Sequence, residues 1–201
     1  MKNHLLEALE NSISIKKNLF NPKFETEFNK VAEVLKNVIK SGNKVLFCGN
    51  GGSASDSQHL AAELIVRLRP NINRKALAGL ALNLDSATIT ACGNDFGYEH
   101  LFERNLNAIG NSGDFLFCMS TSGNSENVRL AALAAKKMNI EVCGLLGSDG
   151  GALKKFCNYK IIIPSNITAR IQECHMLIGH ALIEKVEDEL IDEKYLIINN
   201  H

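Results

Sequence analysis

Residues 44–53, Lys44-Val45-Leu46-Phe47-Cys48-Gly49-Asn50-Gly51-Gly52-Ser53, decide the architecture. A short unbroken apolar run enters a glycine-rich turn, and residues 54–68 then return to helical periodicity. An apolar run with no polar alternation reads as a strand buried on both faces, the signature of a parallel sheet covered by helices. The turn therefore joins a core strand to a helix.

The same alternation continues in both directions. Upstream, helical patterns cover about residues 3–18 and 24–41. The second carries Phe24, Phe28, Val31, Val34, Leu35 and Ile39 at three- and four-residue spacing, and Ser41-Gly42-Asn43 stops it. Downstream, residues 76–82 read as a strand and 85–92 and 98–109 as helices. Residues 114–119 form another strand, followed by the polar loop Ser120–Ser125 and a helix over 126–138. Residues 140–146 and 159–163 are two further strands, Pro164 closes the last, and a long helix runs over 167–192. Five apolar strands interleaved with helices predict one α/β domain over 1–201. It is a doubly wound five-stranded parallel sheet with helices on both faces, to which helices in 1–41 are added. Ligands of such folds bind at the carboxyl ends of the strands, beside a topological switch point.

Composition narrows the function. Of 201 residues, 45% are apolar and 22% charged, the balance of a globular protein, and 22 acidic residues cancel 22 basic ones. Neither nucleic acid nor an anionic membrane is implied as a partner. No stretch approaches the roughly 20 apolar residues of a membrane span. Glu7 and Glu10 interrupt the apolar pattern of the N-terminus, which reads as an amphipathic helix and not a signal peptide. The six cysteines are scattered singly without a C-x-x-C pair, as small buried hydrophobes are, so a reducing cytoplasm is the expected location. The tail after Asp192 reads as a frayed terminus.

Four features carry chemistry. Gly49-Asn50-Gly51-Gly52-Ser53 lies between strand and helix, where backbone approaches a ligand closely and helix N–H groups face an anion. It is neither a G-x-G-x-x-G fingerprint nor a lysine-bearing P-loop, which disfavours nucleotides. Ser120-Thr121-Ser122-Gly123-Asn124-Ser125 repeats that placement with a density of hydroxyls suited to a phosphate monoester; the alternative is that Ser125 merely caps the next helix. His59 and Glu63 share a helix face at i, i+4 and suit a divalent ion or proton transfer, with Asp56 one turn earlier placed to orient His59. Gln172 and His180 lie on the last helix, separated by a rise of about 12 Å and a turn of about 80°. They face broadly the same way, but one ion bridging both needs the two side chains to converge. Arg170 and His175, on the same helix, read equally well as structural.

Taken together, CGNGGSASDSQHLAAEL (48–64), ACGNDFGYEHLFER (91–104), STSGNSENV (120–128) and TARIQECHMLIGH (168–180) resemble the SIS-domain sugar isomerase family, specifically its phosphoheptose isomerase branch. The resemblance covers nearly the whole chain. It implies that Ser53, Ser120, Thr121, Ser122 and Ser125 bind a substrate phosphate, while Asn50, Gly51, Gly52, Asn94, Asp95 and Gln172 line the sugar site. It further implies one zinc per subunit on His59, Glu63, Gln172 and His180, with Glu63 and His180 as the proton-transfer pair. The implied enzyme is a cytoplasmic homotetramer, adjacent subunits completing each site, that isomerises sedoheptulose 7-phosphate for bacterial surface glycans. Non-catalytic relatives of the fold that act as adaptors share both loops, so Glu63 and His180 are the residues that separate an enzyme from an adaptor or a sugar-phosphate sensor. One departure is Ala169, where some family members carry an aspartate; any role of that acid is absent here or falls to Thr168 or a water.

Overall fold

The computed structural model describes residues 3–83 and 85–198. Two helices open the chain, α1 (His4–Leu19) and α2 (Pro22–Lys40). Helix α2 starts two residues ahead of the apolar pattern because Asn21 caps it, accepting from the Lys23 and Phe24 amides, and Pro22 occupies its first turn. There follow β1 (Val45–Gly49), α3 (Gly52–Ile65), β2 (Gly79–Ala81), α4 (Ser86–Asp95), a 3-10 turn at Tyr98–His100 and α5 (Leu101–Ile109). The chain continues through β3 (Phe115–Ser120), α6 (Glu126–Lys137), β4 (Glu141–Gly147) and β5 (Tyr159–Ile163), and ends in α7 (Thr168–Asp192).

The five strands are all parallel, in the order β2-β1-β3-β4-β5. The chain moves outward from β1 to β2, then crosses back to β3, so the switch point lies between β1 and β3. Strand alternation divides the core in two. Val45, Phe47, Phe115, Phe117, Cys143 and Leu145 face α2, α3 and α7, with Phe47 and Phe117 stacked at 5.2 Å. Leu46, Cys48, Leu116, Cys118 and Val142 face the layer of α5 and α6. Each fully buried large side chain contributes about 1.5–3 kcal/mol, and both faces of the sheet are filled this way. The connection after β1 enters α3 on the first face, and that after β3 enters α6 on the second. The two glycine- and serine-rich loops therefore stand side by side at the carboxyl edge.

All six cysteines are free and buried. The tail departs from a frayed terminus: the Tyr195 hydroxyl donates to the Ile39 carbonyl, and Leu196 is buried in the core. The rest of that stretch, residues 199–201, lies outside the described residues.

Candidate active site

The first loop leaves β1 at Gly49 and enters α3 with Gly51 at the N-cap position. Asn50 does not wait freely for a ligand. Its amide donates to Asn127 Oδ1 (2.8 Å), and its Oδ1 accepts from Asn127 Nδ2 (2.8 Å) and from the Tyr98 hydroxyl (2.9 Å). Asn127 is buried in the first turn of α6, so this reciprocal amide pair bolts the two loops together across the switch point. Ser53 is buried. Asn83, two residues past the end of β2, donates to the Gly49 carbonyl (2.9 Å) and leaves its own Oδ1 buried without a partner.

In the second loop, Ser120 Oγ stands 3.1 Å from Ser125 Oγ and accepts from the Gly123 amide (3.1 Å). Ser122 Oγ accepts from the Asn124 amide at 3.1 Å, and Thr121 is half-buried beside them. Ser125 occupies the N-cap position of α6 but makes no capping hydrogen bond. The plain capping reading therefore fails. The Ser120 and Ser125 hydroxyls meet at the positive end of a helix, where an anion is favoured.

Asn94 and Asp95 end α4, exposed and hydrogen-bonded to each other at 2.7 Å. Their segment reaches the first loop through Tyr98, not through their own side chains. Nothing in the sequence singles out Asn127, Tyr98 or Asn83. The first two fall within the quoted motifs, but nothing local reveals that they meet Asn50.

On α3, His59 Nε2 lies 3.1 Å from Glu63 Oε1 and 3.1 Å from His180 Nε2 of α7. One carboxylate oxygen and two imidazole nitrogens thus lie within 4.8 Å of one another. Tetrahedral zinc with bonds of about 2.0–2.1 Å holds its ligand atoms about 3.3 Å apart, so the donor set and its spacing fit such an ion. Three protein donors also leave one position open, as a catalytic site requires. His59 is half exposed and Glu63 mostly buried, so the cluster opens to solvent on one side.

Helices α3 and α7 run side by side in the same direction. Near its start, the Gln172 amide covers Gly52 so closely that a Cβ there would sit 2.3 Å from Nε2. Further along, Gly179 lies where any Cβ would meet Leu60 Cδ2 at 2.6 Å, which lets the backbones approach. Gln172 therefore meets α3 about two helical turns, or about 10 Å, before the histidine pair. The expected four-residue set is brought together as three, with Gln172 over the first loop.

Asp56 does not orient His59 by a hydrogen bond: its Oδ2 is buried without a partner. Burial pushes its carboxyl above the usual range, opposed by the attraction of His59. Arg170 is structural, donating to the Ala8 carbonyl and to Glu173 and so fastening α1 to α7. His175 is fully buried and neither ring nitrogen completes a hydrogen bond. Burial lowers its pKa to about 4, although the nearby Leu146 backbone slightly favours the charged ring.

A family model described as the SIS domain matches residues 11–147. The phosphoheptose isomerase of Clostridium acetobutylicum is 43% identical over 195 residues, spanning 96% of this chain and 98% of that protein. That of Leptospira biflexa is 47% identical over 182 residues, spanning 90% and 93%. Among solved structures, a phosphoheptose isomerase from Francisella tularensis superposes with a TM-score of 0.87 at 34% identity, covering 94% of this chain and 100% of that one. The phosphoheptose isomerase of Neisseria gonorrhoeae gives 0.84 at 36% identity, covering 92% and 97%.

Proposed function

The chain belongs to the SIS-domain family, on its phosphoheptose isomerase branch, and from that premise we propose that it interconverts sedoheptulose 7-phosphate and D-glycero-D-manno-heptose 7-phosphate. The observation that carries the chemistry is the contact of Glu63 and His180 with one imidazole, His59, on an open face of the α3–α7 seam.

Ser120, Thr121, Ser122 and Ser125, with Ser53 from the first loop, hold the phosphate against the amino ends of α6 and α3. Asn50, Gly51, Gly52 and Gln172 line the sugar from the first loop, and Asn94 and Asp95 close it from the end of α4. From the ketose, Glu63 takes a proton from C1, and the electron pair shifts through C2 onto O2. Return of a proton to C2 and transfer of the O1 proton to O2 leave the aldose. His180 moves protons at the two oxygens or delivers one to C2. His59, Glu63 and His180 would hold a zinc ion, and Gln172 would have to leave Gly52 to serve as a fourth ligand. When bound, the ion supplies Lewis-acid stabilisation of the negative charge on the enediolate oxygens.

The same reading makes the enzyme a cytoplasmic homotetramer that supplies heptose precursors of bacterial surface glycans. Six buried free thiols suit a reducing compartment, and no helix among the described residues is long and apolar enough to cross a membrane. Exposed Leu5, Leu6, Leu9 and Ile13 on α1 suit association through the N-terminal helices. The test is turnover of sedoheptulose 7-phosphate by wild type, Glu63→Gln and His180→Gln. Product from the wild type alone supports the reading, whereas binding without turnover, zinc supplied, replaces it with an adaptor or sensor.

A further inference from the structure

Below the histidine pair, the α3–α7 seam closes on a buried ion cluster. Arg74, in the segment between α3 and β2, has a fully buried side chain, as does its partner Glu187 on α7; Arg74 Nε donates to Glu187 Oε1 at 2.5 Å. The other arm of the guanidinium reaches back to α3. Nη2 donates to the Glu63 carbonyl (2.9 Å), and Nη1 donates to the carbonyls of Leu64 (3.0 Å) and Lys75 (3.1 Å). Glu63 and Leu64 supply backbone acceptors in the last turn of α3, where intrahelical partners run out and a cation is favoured. Arg69 grips the second oxygen of Glu187 (2.9 Å) and then Asp188 (2.6 Å).

A buried ion pair is a poor way to gain stability, because desolvation of both charges offsets their attraction. What this one does is geometric. A single planar group joins the peptide of Glu63 to α7, at a residue two turns past His180 on nearly the same face. The reach between Glu63 and His180 is set by how closely α3 and α7 lie, and Arg74 spans that gap directly. We infer that Arg74 and Glu187 are positioning residues, a clamp that fixes α3 against α7 so that His59, Glu63 and His180 stay in mutual contact. The inference rests on that cluster being the reaction centre.

The test uses the full chain carrying Arg74→Lys or Glu187→Gln, with Leu106→Ala as a control that loosens the opposite face of the sheet. Cobalt affinity and its visible spectrum are measured beside kcat and KM. Clamp variants should lose about ten- to a hundredfold in cobalt affinity, with an altered spectrum. Their kcat should fall while KM for the sugar phosphate stays near wild type, because the phosphate loops are untouched. Leu106→Ala should lose stability and keep the cobalt site. Should Arg74→Lys fail to fold, Glu187→Gln decides alone, since the neutral side chain fills the same space but loses the charge and one of the two acceptor oxygens that hold Arg74 and Arg69. If the wild type binds no cobalt, the metal reading fails by itself and the clamp is judged by NMR of the histidine rings. The ring signals of His180 should respond to His59→Gln in the wild-type background and not in the Glu187→Gln background. Folded clamp variants with wild-type cobalt binding, or with undiminished coupling between the two rings, overturn the inference.

Discussion

His175→Leu should remove an acid-sensitive contribution to the stability of this protein. The ring is fully buried on α7 and completes no hydrogen bond, so the folded chain resists protonating it. Its pKa falls from 6.5 to about 4 for that reason. Between those values the unfolded chain binds a proton that the folded chain does not, so stability rises with pH there and is lost as pH falls. At roughly 1.4 kcal/mol per pH unit, the whole displacement amounts to about 3 kcal/mol. Because the group is almost wholly buried, solvent screening takes little from this figure. Urea unfolding of wild type and variant at matched protein concentration, from pH 7.5 down to 4, isolates this contribution as the difference between the two curves. The wild type should lose about 3 kcal/mol more than His175→Leu over that range, mostly below pH 6.5. A difference that stays flat with pH would show that the ring gains a proton or a partner in the folded chain, and would refute the reasoning.

Three further substitutions separate binding from folding. Gly52→Ala places a Cβ 2.3 Å from the Gln172 amide. The end of a flexible side chain gives way, so the cost to stability should stay below about 1 kcal/mol, while KM for the sugar phosphate rises. Ser125→Ala should leave thermal stability near wild type and weaken phosphate binding; a loss of about 1 kcal/mol with unchanged KM would restore the capping role. Asn127→Ala strips two hydrogen bonds from Asn50 and should cost about 1–3 kcal/mol in urea unfolding, with a larger proportional loss in kcat/KM. Activity retained in full would mean that the bolt between the loops has no part in the reaction.

The central strands β1 and β3 were legible because each is buried along its whole length and shows an unbroken apolar run; β5, at the edge with Lys160 exposed, still matches the expected residues, and β1, β3 and β4 agree within a residue or two. Where the reading missed, a distant partner is responsible. Apolar periodicity carries α3 to residue 68, but the helix stops at Ile65, and Arg74 takes up the Glu63 and Leu64 carbonyls. Residues 76–82 have the composition of a longer strand, yet β2 lies at the edge and pairs with β1 over only three residues. The site divides likewise. Both loops and the His59–Glu63 pair follow from local rules, a strand end, a helix start and an i, i+4 step. The approach of His180 to His59, and of Asn127 to Asn50, depends on how helices pack across the sheet, which no spacing in the chain encodes.

Glu63 is assigned both as a ligand and as a base, and a carboxylate tied to an ion is the weaker base. The geometry permits a division, because it is Oε1 that meets His59, which leaves Oε2 to the substrate. If the oxygens divide the work, Glu63→Gln keeps a neutral oxygen toward the ion and loses the base. Cobalt affinity should then fall modestly, while kcat drops by about 100- to 10,000-fold. His59→Gln should do the reverse, losing about ten- to a hundredfold or more in affinity but recovering much of its kcat at saturating ion. Measured together, the two variants should move along different axes. Proportional losses of affinity and kcat in both would mean that one oxygen cannot be separated from the other, and that the proton is taken by a different group.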